Sequence, residues 1–280
     1  MPAVDAHIHV FTTNLPMVAG RRYTPPADAT PAQFVRQMMA HDVPMAVIVQ
    51  PSFLGTDNSY LIDALEDRPT TFRGIAVVDP FISDAELAAM DAAGVVGIRF
   101  NLVGRDPREL ETPDIRALLA RIEALRWHVQ VQVQGRYLPD VYRSLATFGG
   151  PIVFDHFGLP DPAYGLRDPG FRLLFTEGPR GRIFVKFSAG YRCGIDTKPY
   201  ADMLLRHLGP QRIVWGSDWP WTQFEAQNTY AGCISELSRL APDPAVREAI
   251  DRTATGLYRF SEPHHQLLWR QIEREGAAVA

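Results

Sequence analysis

Short β-branched apolar runs recur along the whole chain: Val4–Val10, Ala46–Gln50, Gly74–Val78, Val96–Leu102, Val129–Gln134, Ile152–His156, Ile183–Ser188 and Ile213–Ser217. Each has the length and composition of a buried strand. Between them, apolar residues return with the helical period, as at Pro31–His41, Ala85–Ala92, Pro113–Leu125 and Tyr200–Leu208. Asp243–Leu257 predicts a closing helix, and the end beyond Pro263 reads as a surface appendage. Strand and helix alternate without a break in composition, with the strands spaced by roughly 20 to 40 residues. That is the pattern of an α/β protein built as a (β/α)8 TIM barrel, in one domain over residues 1–280. A doubly wound sheet shares the alternation, but no G-x-G-x-x-G follows the first run, and eight evenly distributed strands suit a closed barrel better.

The polar residues fall where such a barrel places its chemistry. The runs finish in His7 and His9, Gln50-Pro51-Ser52, Asp79-Pro80, Arg99 and Asn101, Gln132 and Gln134, Asp155-His156, Lys186 and Ser188, and Ser217-Asp218. In a barrel all eight ends converge on one face. His7 and His9 alternate along a strand and so project from one side of it. Two adjacent imidazoles can bind a metal, or polarise a carbonyl and steer a proton. The Gly/Pro-rich segments Phe11–Ala29 and Phe157–Gly170 follow the first and sixth runs and read as loops on the same face. Loops of that length in a compact domain are usually functional.

Composition narrows the classes. The chain has 280 residues, 46% hydrophobic and 21% charged, with a formal net charge of -4. It offers no basic stripe for nucleic acid. Cys193 and Cys233 are too far apart to suggest a disulfide framework or a cysteine metal site. No basic n-region and long apolar core open the chain, and no run of about 20 apolar residues could cross a membrane. A cytoplasmic protein is expected; the oligomeric state is not legible. Arg99 lies inside an apolar run, where an unpaired guanidinium would be costly. It needs a carboxylate from the protein or from a ligand. With Arg105 and Arg192 near strand ends, arginine's planar fork favours a small anionic substrate.

The segments Asp5-Ala6-His7-Ile8-His9-Val10-Phe11, Asp155-His156-Phe157-Gly158 and Trp215-Gly216-Ser217-Asp218-Trp219-Pro220 resemble the amidohydrolase superfamily, in its amidohydrolase-related family 2. The resemblance runs from about Val4 to Phe260. The segments around Arg21–Pro25, Gln50–Asn58 and Gly97–Leu102 are similar to the branch of 2-pyrone-4,6-dicarboxylate lactonases. The resemblance implies an amidohydrolase-like barrel that hydrolyses a cyclic ester without a metal. Asp218 would take the proton of the attacking water and pass one to the leaving oxygen. His7, His9 and His156 would polarise the lactone carbonyl. Tyr23, Ser52, Arg99, Arg105, Gln132 and Arg192 would bind the substrate, the arginines taking its carboxylates.

Two positions depart from that branch. Leu159 stands where a further arginine is expected, and Gln132 where a tyrosine is expected. A lost charge-assisted contact is worth roughly 1.5 to 3 kcal/mol, so a sugar-acid lactone or a differently placed diacid competes with the pyrone dicarboxylate. The fifth run offers glutamines rather than the acidic bridge of binuclear relatives, which argues against two metals. No cofactor is expected; a mononuclear zinc on His7, His9, His156 and Asp218 is the chemically allowed exception. That exception carries the alternative function, a zinc-dependent decarboxylase of the aminocarboxymuconate-semialdehyde type. Such enzymes keep another histidine before the catalytic aspartate; the candidate here, His207, reads as helical. A non-catalytic anion-binding barrel is a third reading, which the complete His/His/His/Asp set disfavours.

Overall fold

The computed structural model describes residues 1–178 and 181–261; the appendage expected beyond Pro263 lies outside them. Eight strands form one sheet in the order of the chain: β1 (Val4–Ile8), β2 (Met45–Val49), β3 (Phe72–Ala76), β4 (Val95–Asn101), β5 (His128–Gln132), β6 (Ile152–Phe154), β7 (Ile183–Phe187) and β8 (Ile213–Trp215). All seven neighbouring pairs are parallel. The sheet closes just beyond β8, where His9 N–H donates to the Trp219 carbonyl at 2.8 Å and Asp218 N–H to the His7 carbonyl at 2.9 Å. Closure needs close approach: a Cβ on Gly216 would lie 2.6 Å from His7 Cβ and 2.7 Å from His7 N. The result is a (β/α)8 TIM barrel.

The helices follow their sequence signals. The first, α1 (Pro31–His41), begins with a reciprocal Thr30–Gln33 capping box and a proline in its first turn. After α2 (Ser59–Asp67), α3 (Asp84–Ala93) starts with a second box, Ser83–Glu86. The remaining helices are α4 (Pro113–Ala124), α5 (Leu138–Ser144), α6 (Pro169–Glu177), α7 (Gly190–Cys193), α8 (Lys198–Leu208), α9 (Tyr230–Leu240) and α10 (Pro244–Leu257). Their apolar faces cover outward strand residues such as Ile8, Ile48, Ile98, Val129 and Val131. No helix among the described residues is long and apolar enough to cross a membrane.

The barrel interior has two layers. The lower one is apolar: Val4, Ala6, Met45, Val47, Val49, Ile75, Val96, Val153, Phe184 and Val214, floored by Tyr258 and Phe260. The upper one is polar; on β6 and β7 simple alternation carries the change, whereas on β1 and β4 a β-bulge makes it. Between Asp5 and Ile8, three steps along β1 face only two on β2, from Ala46 to Ile48. Between Val95 and Gly97, two steps along β4 face one on β3, from Gly74 to Ile75. An extra residue reverses which side chains point inward. Without the β1 bulge, a strand burying Val4 and Ala6 in the interior would turn Ile8 inward and the two histidines out. With it, Ile8 joins the outer core while His7 and His9 face the axis. The β4 bulge does the same for Ile98 and Arg99.

Candidate active site

The four residues of the His/His/His/Asp set meet at the mouth of the barrel, all buried. His7 Nε2 and His9 Nε2 are 3.3 Å apart. Asp218 Oδ1 lies 3.6 Å from His7 Nε2, 3.8 Å from His9 Nε2 and 3.9 Å from His156 Nε2. That oxygen makes no hydrogen bond. The other carboxylate oxygen is fully engaged: Tyr191 O–H donates to it at 2.5 Å and Arg192 approaches it at 2.7 Å and 2.8 Å. The backbone is strained here, with His156 at φ 53°, Phe157 at φ 58° and Asp218 at φ 63°. Left-handed conformations cost non-glycine residues free energy; here they accompany the turns that bring His156 and Asp218 to the cavity, while Phe157 packs on Phe187 in the core.

Each imidazole is oriented from behind. His9 Nδ1–H donates to the Val49 carbonyl at 2.7 Å, so a neutral His9 presents a bare Nε2. His156 Nδ1 exchanges a hydrogen bond with Ser188 Oγ at 2.8 Å. His7 Nδ1 is flanked by Lys186 Nζ at 3.2 Å and Asp155 Oδ1 at 3.3 Å. Beneath them runs a polar network: Lys186 donates to Gln130 Oε1 at 2.9 Å, and Gln130 Nε2 donates to Asp155 Oδ2 at 3.1 Å. Arg99 reaches Asp155 Oδ2 at 3.4 Å and donates to Gln132 Oε1 at 2.6 Å. The carboxylate that Arg99 requires therefore comes from the protein, while its guanidinium still borders the cavity.

Charge states follow from these neighbours. Burial alone would raise Asp218; Arg192 and the three imidazoles reverse that and hold it below the ordinary carboxylate range. Burial would likewise raise Asp155, but Lys186 and His7 keep it well below that range. Burial, with Arg99 acting second, pushes His9 down to about 4. Burial also brings His156 down to about 4, against the pull of Asp218. His7 falls well below its usual value, through burial and then Lys186. The resting site thus holds an anionic Asp218 among neutral imidazoles at neutral pH.

Above this cluster opens a cavity of about 240 Å³. His9, Tyr23, Ser52, Arg99, Gln132, His156, Arg192 and Asp218 border it, and so does Leu159, the departure noted above. Tyr23 O–H is bonded to Glu225 across the mouth. Arg105 is the sequence-derived candidate that the structure does not bring here: its side chain is 62% exposed and pairs with Glu109 at 2.5 Å, outside the cavity. The two residues are four apart, Arg105 in the loop that leads into the 3-10 turn Pro107–Glu111 and Glu109 within that turn, so the local ion pair is satisfied without a ligand. His207 is on α8, stacked on Phe175, and takes no part. Sequence reasoning missed Arg22, which lines the cavity and donates to Asn101 Oδ1 at 3.1 Å. It also missed Tyr191 on Asp218; only its place beside Arg192 could have signalled it.

The donor set also fits a divalent cation. His7, His9 and Asp218 present ligand atoms within 4.8 Å of one another, His156 Nε2 faces the same carboxylate oxygen, and that oxygen is an orphaned buried acceptor. Histidine and carboxylate ligands of this kind suit zinc.

The chain is similar to known proteins in sequence and in fold. The family model described as amidohydrolase matches residues 4–260. The 2-pyrone-4,6-dicarboxylate hydrolase of Comamonas testosteroni is 32% identical over 266 residues, which is 89% of this chain and 87% of that protein. A 4-sulfomuconolactone hydrolase of Hydrogenophaga intermedia is 30% identical over 224 residues, 77% of this chain and 74% of its own. The structure of a probable 2-pyrone-4,6-dicarboxylic acid hydrolase from Acinetobacter baumannii, with citric acid bound, superimposes with a TM-score of 0.88. It is 32% identical, and the match covers 93% of this chain and 100% of that one.

Proposed function

Because the chain belongs to the amidohydrolase family, we propose that it is a hydrolase opening a small carboxylated lactone by water activated at Asp218. The observation that carries this reading is the free Asp218 Oδ1, buried and facing three imidazoles at 3.6 to 3.9 Å. A water beside that oxygen can give its proton to the carboxylate while it attacks a carbonyl polarised by His7 and His156; His9, bare at Nε2 when neutral, has no proton there to offer. A positioned base typically contributes about 10²- to 10⁴-fold, and one well-aimed oxyanion donor roughly 3 kcal/mol. Asp218 would then return the proton to the ring oxygen as it leaves.

Arg192 links substrate charge to this chemistry. At rest it pairs with Asp218 and weakens the carboxylate as a base. A substrate carboxylate that draws Arg192 away removes that stabilisation and raises the basicity of Asp218 where it is needed. Arg22 and Arg99 add positive charge around the same cavity, and its small volume suits a single ring with acidic substituents. The related proteins are hydrolases of a pyrone dicarboxylate and a sulfomuconolactone, which supports an anionic lactone here. Leu159 in the wall supports a substrate other than the pyrone dicarboxylate.

If zinc binds, His7, His9, His156 and Asp218 would hold it, and it would supply a Lewis acid and an acidified water. The same convergence of donor atoms is what a zinc-dependent decarboxylase would need. A panel of carboxylated and uncarboxylated lactones, assayed before and after exhaustive chelation, tests the proposal. Opening of carboxylated rings that survives chelation supports it. Activity lost to chelator and restored by zinc overturns the metal-free mechanism; carbon dioxide release from an acid substrate, with no lactone opened, overturns the hydrolase.

A further inference from the structure

Strand β7 carries a lysine into the barrel with no contact to solvent. Lys186 Nζ lies 2.9 Å from Gln130 Oε1, 3.2 Å from Asp155 Oδ1 and 3.2 Å from His7 Nδ1. A buried ammonium keeps its charge only beside such acceptors, and it has three donors and no lone pair. Its approach to His7 Nδ1 is therefore favourable only when that nitrogen is bare and the ring proton is on Nε2.

A second observation points the same way. On the other side of the ring, His9 presents a bare Nε2, because its Nδ1–H is committed to the Val49 carbonyl. That bare nitrogen is 3.3 Å from His7 Nε2. Two lone pairs facing at this distance repel; a proton on His7 Nε2 turns the contact into a hydrogen bond.

We propose that Lys186 is a positioning residue that fixes the His7 proton on Nε2, aimed into the cavity, and so biases the site toward proton donation and against a divalent cation. A cation at His7 needs Nε2 bare, which moves the ring proton to Nδ1 and against the ammonium. The choice between two chemistries is then set by a residue that does not line the cavity. This deepens the reading above and rests on it only for the use made of the proton; the tautomer itself belongs to the resting protein.

The test uses the full chain, labelled with ¹⁵N at histidine and stripped of metal, with His7 assigned through a His7→Gln variant. Long-range proton–nitrogen correlations are expected to show His7 protonated at Nε2. In Lys186→Met the proton is expected at Nδ1, donated to Asp155, and affinity for zinc alone, measured against a chromophoric chelator, should rise roughly 10- to 100-fold. Lys186→Gln, which keeps a polar group beside Gln130, serves if the methionine variant does not fold. A wild-type His7 protonated at Nδ1 overturns the proposal. So does a folded variant whose tautomer and zinc affinity match the wild type. Failure of every lactone in the panel would leave these spectra unaffected, so the two readings fail separately.

Discussion

The two layers of the barrel interior are built by the same strands and obey opposite rules. The lower layer holds aliphatic and aromatic side chains over the Tyr258 and Phe260 floor; the upper holds three imidazoles, two carboxylates, a lysine and an arginine, all buried. Two carboxylates show what burial does without and with cations around it. Asp251, half-buried on α10, accepts the Ala3 N–H at 2.9 Å, and burial raises its pKa to about 6. Asp218, more deeply buried, shifts the other way because Arg192 and the imidazoles surround it. Burial alone makes a carboxylate prefer its neutral form; burial among cations and donors holds it ionised.

The strongest way to break this division is at its upper edge. Asp218→Asn removes the proposed base and is expected to lower turnover by about 10²- to 10⁴-fold with the fold retained by circular dichroism. Turnover close to wild type in that variant would remove the upper layer from the chemistry. Next comes the lower layer. Phe184→Ala opens a cavity beneath the site and should cost about 3 to 5 kcal/mol in denaturant unfolding, with turnover nearly unchanged below the new melting transition. A variant that keeps its stability and loses its rate would show the layers to be coupled.

The smallest effect concerns pH. Asp251 has its folded pKa raised above the ordinary 3.8, to about 6. The stability it contributes is therefore complete below about pH 4 and is lost as pH rises through about 6. Asp251→Asn should remove that loss, so unfolding free energies of wild type and variant should diverge between pH 4 and 6 by about 1 to 2 kcal/mol once solvent screening is counted. A constant difference across that range would refute the contrast between the two carboxylates. Asp218, with its depressed pKa, contributes in the opposite sense, losing stability only as pH falls below the ordinary carboxylate range.

Much of the frame was legible along the chain. The run at Ile183–Ser188 becomes β7 at Ile183–Phe187, and the helix expected at Pro31–His41 has those same bounds, because periodicity and caps are local signals. The cluster that the structure brings together at the mouth was legible too, since His7, His9, His156 and Asp218 stand at the ends of three apolar runs. Arg105 was expected at the site because an arginine near a strand end has the same appearance whether its partner is a ligand or Glu109 four residues on. Arg22 went unnoticed because a long loop gives no periodicity from which to aim a side chain.

What the sequence determined by itself is the alternation of strands and helices and the residue types at the strand ends. The tertiary structure alone decided which of those residues look inward. Inward direction depends on pairing register, and the bulges in β1 and β4 reverse it through partners about 40 and 20 residues away in the chain. The Asp155–Lys186–His7 network exists only because closure joins β1 to β8 and brings β6 and β7 beside them. Local composition contains propensity, whereas the meeting of distant side chains is a property of the closed barrel.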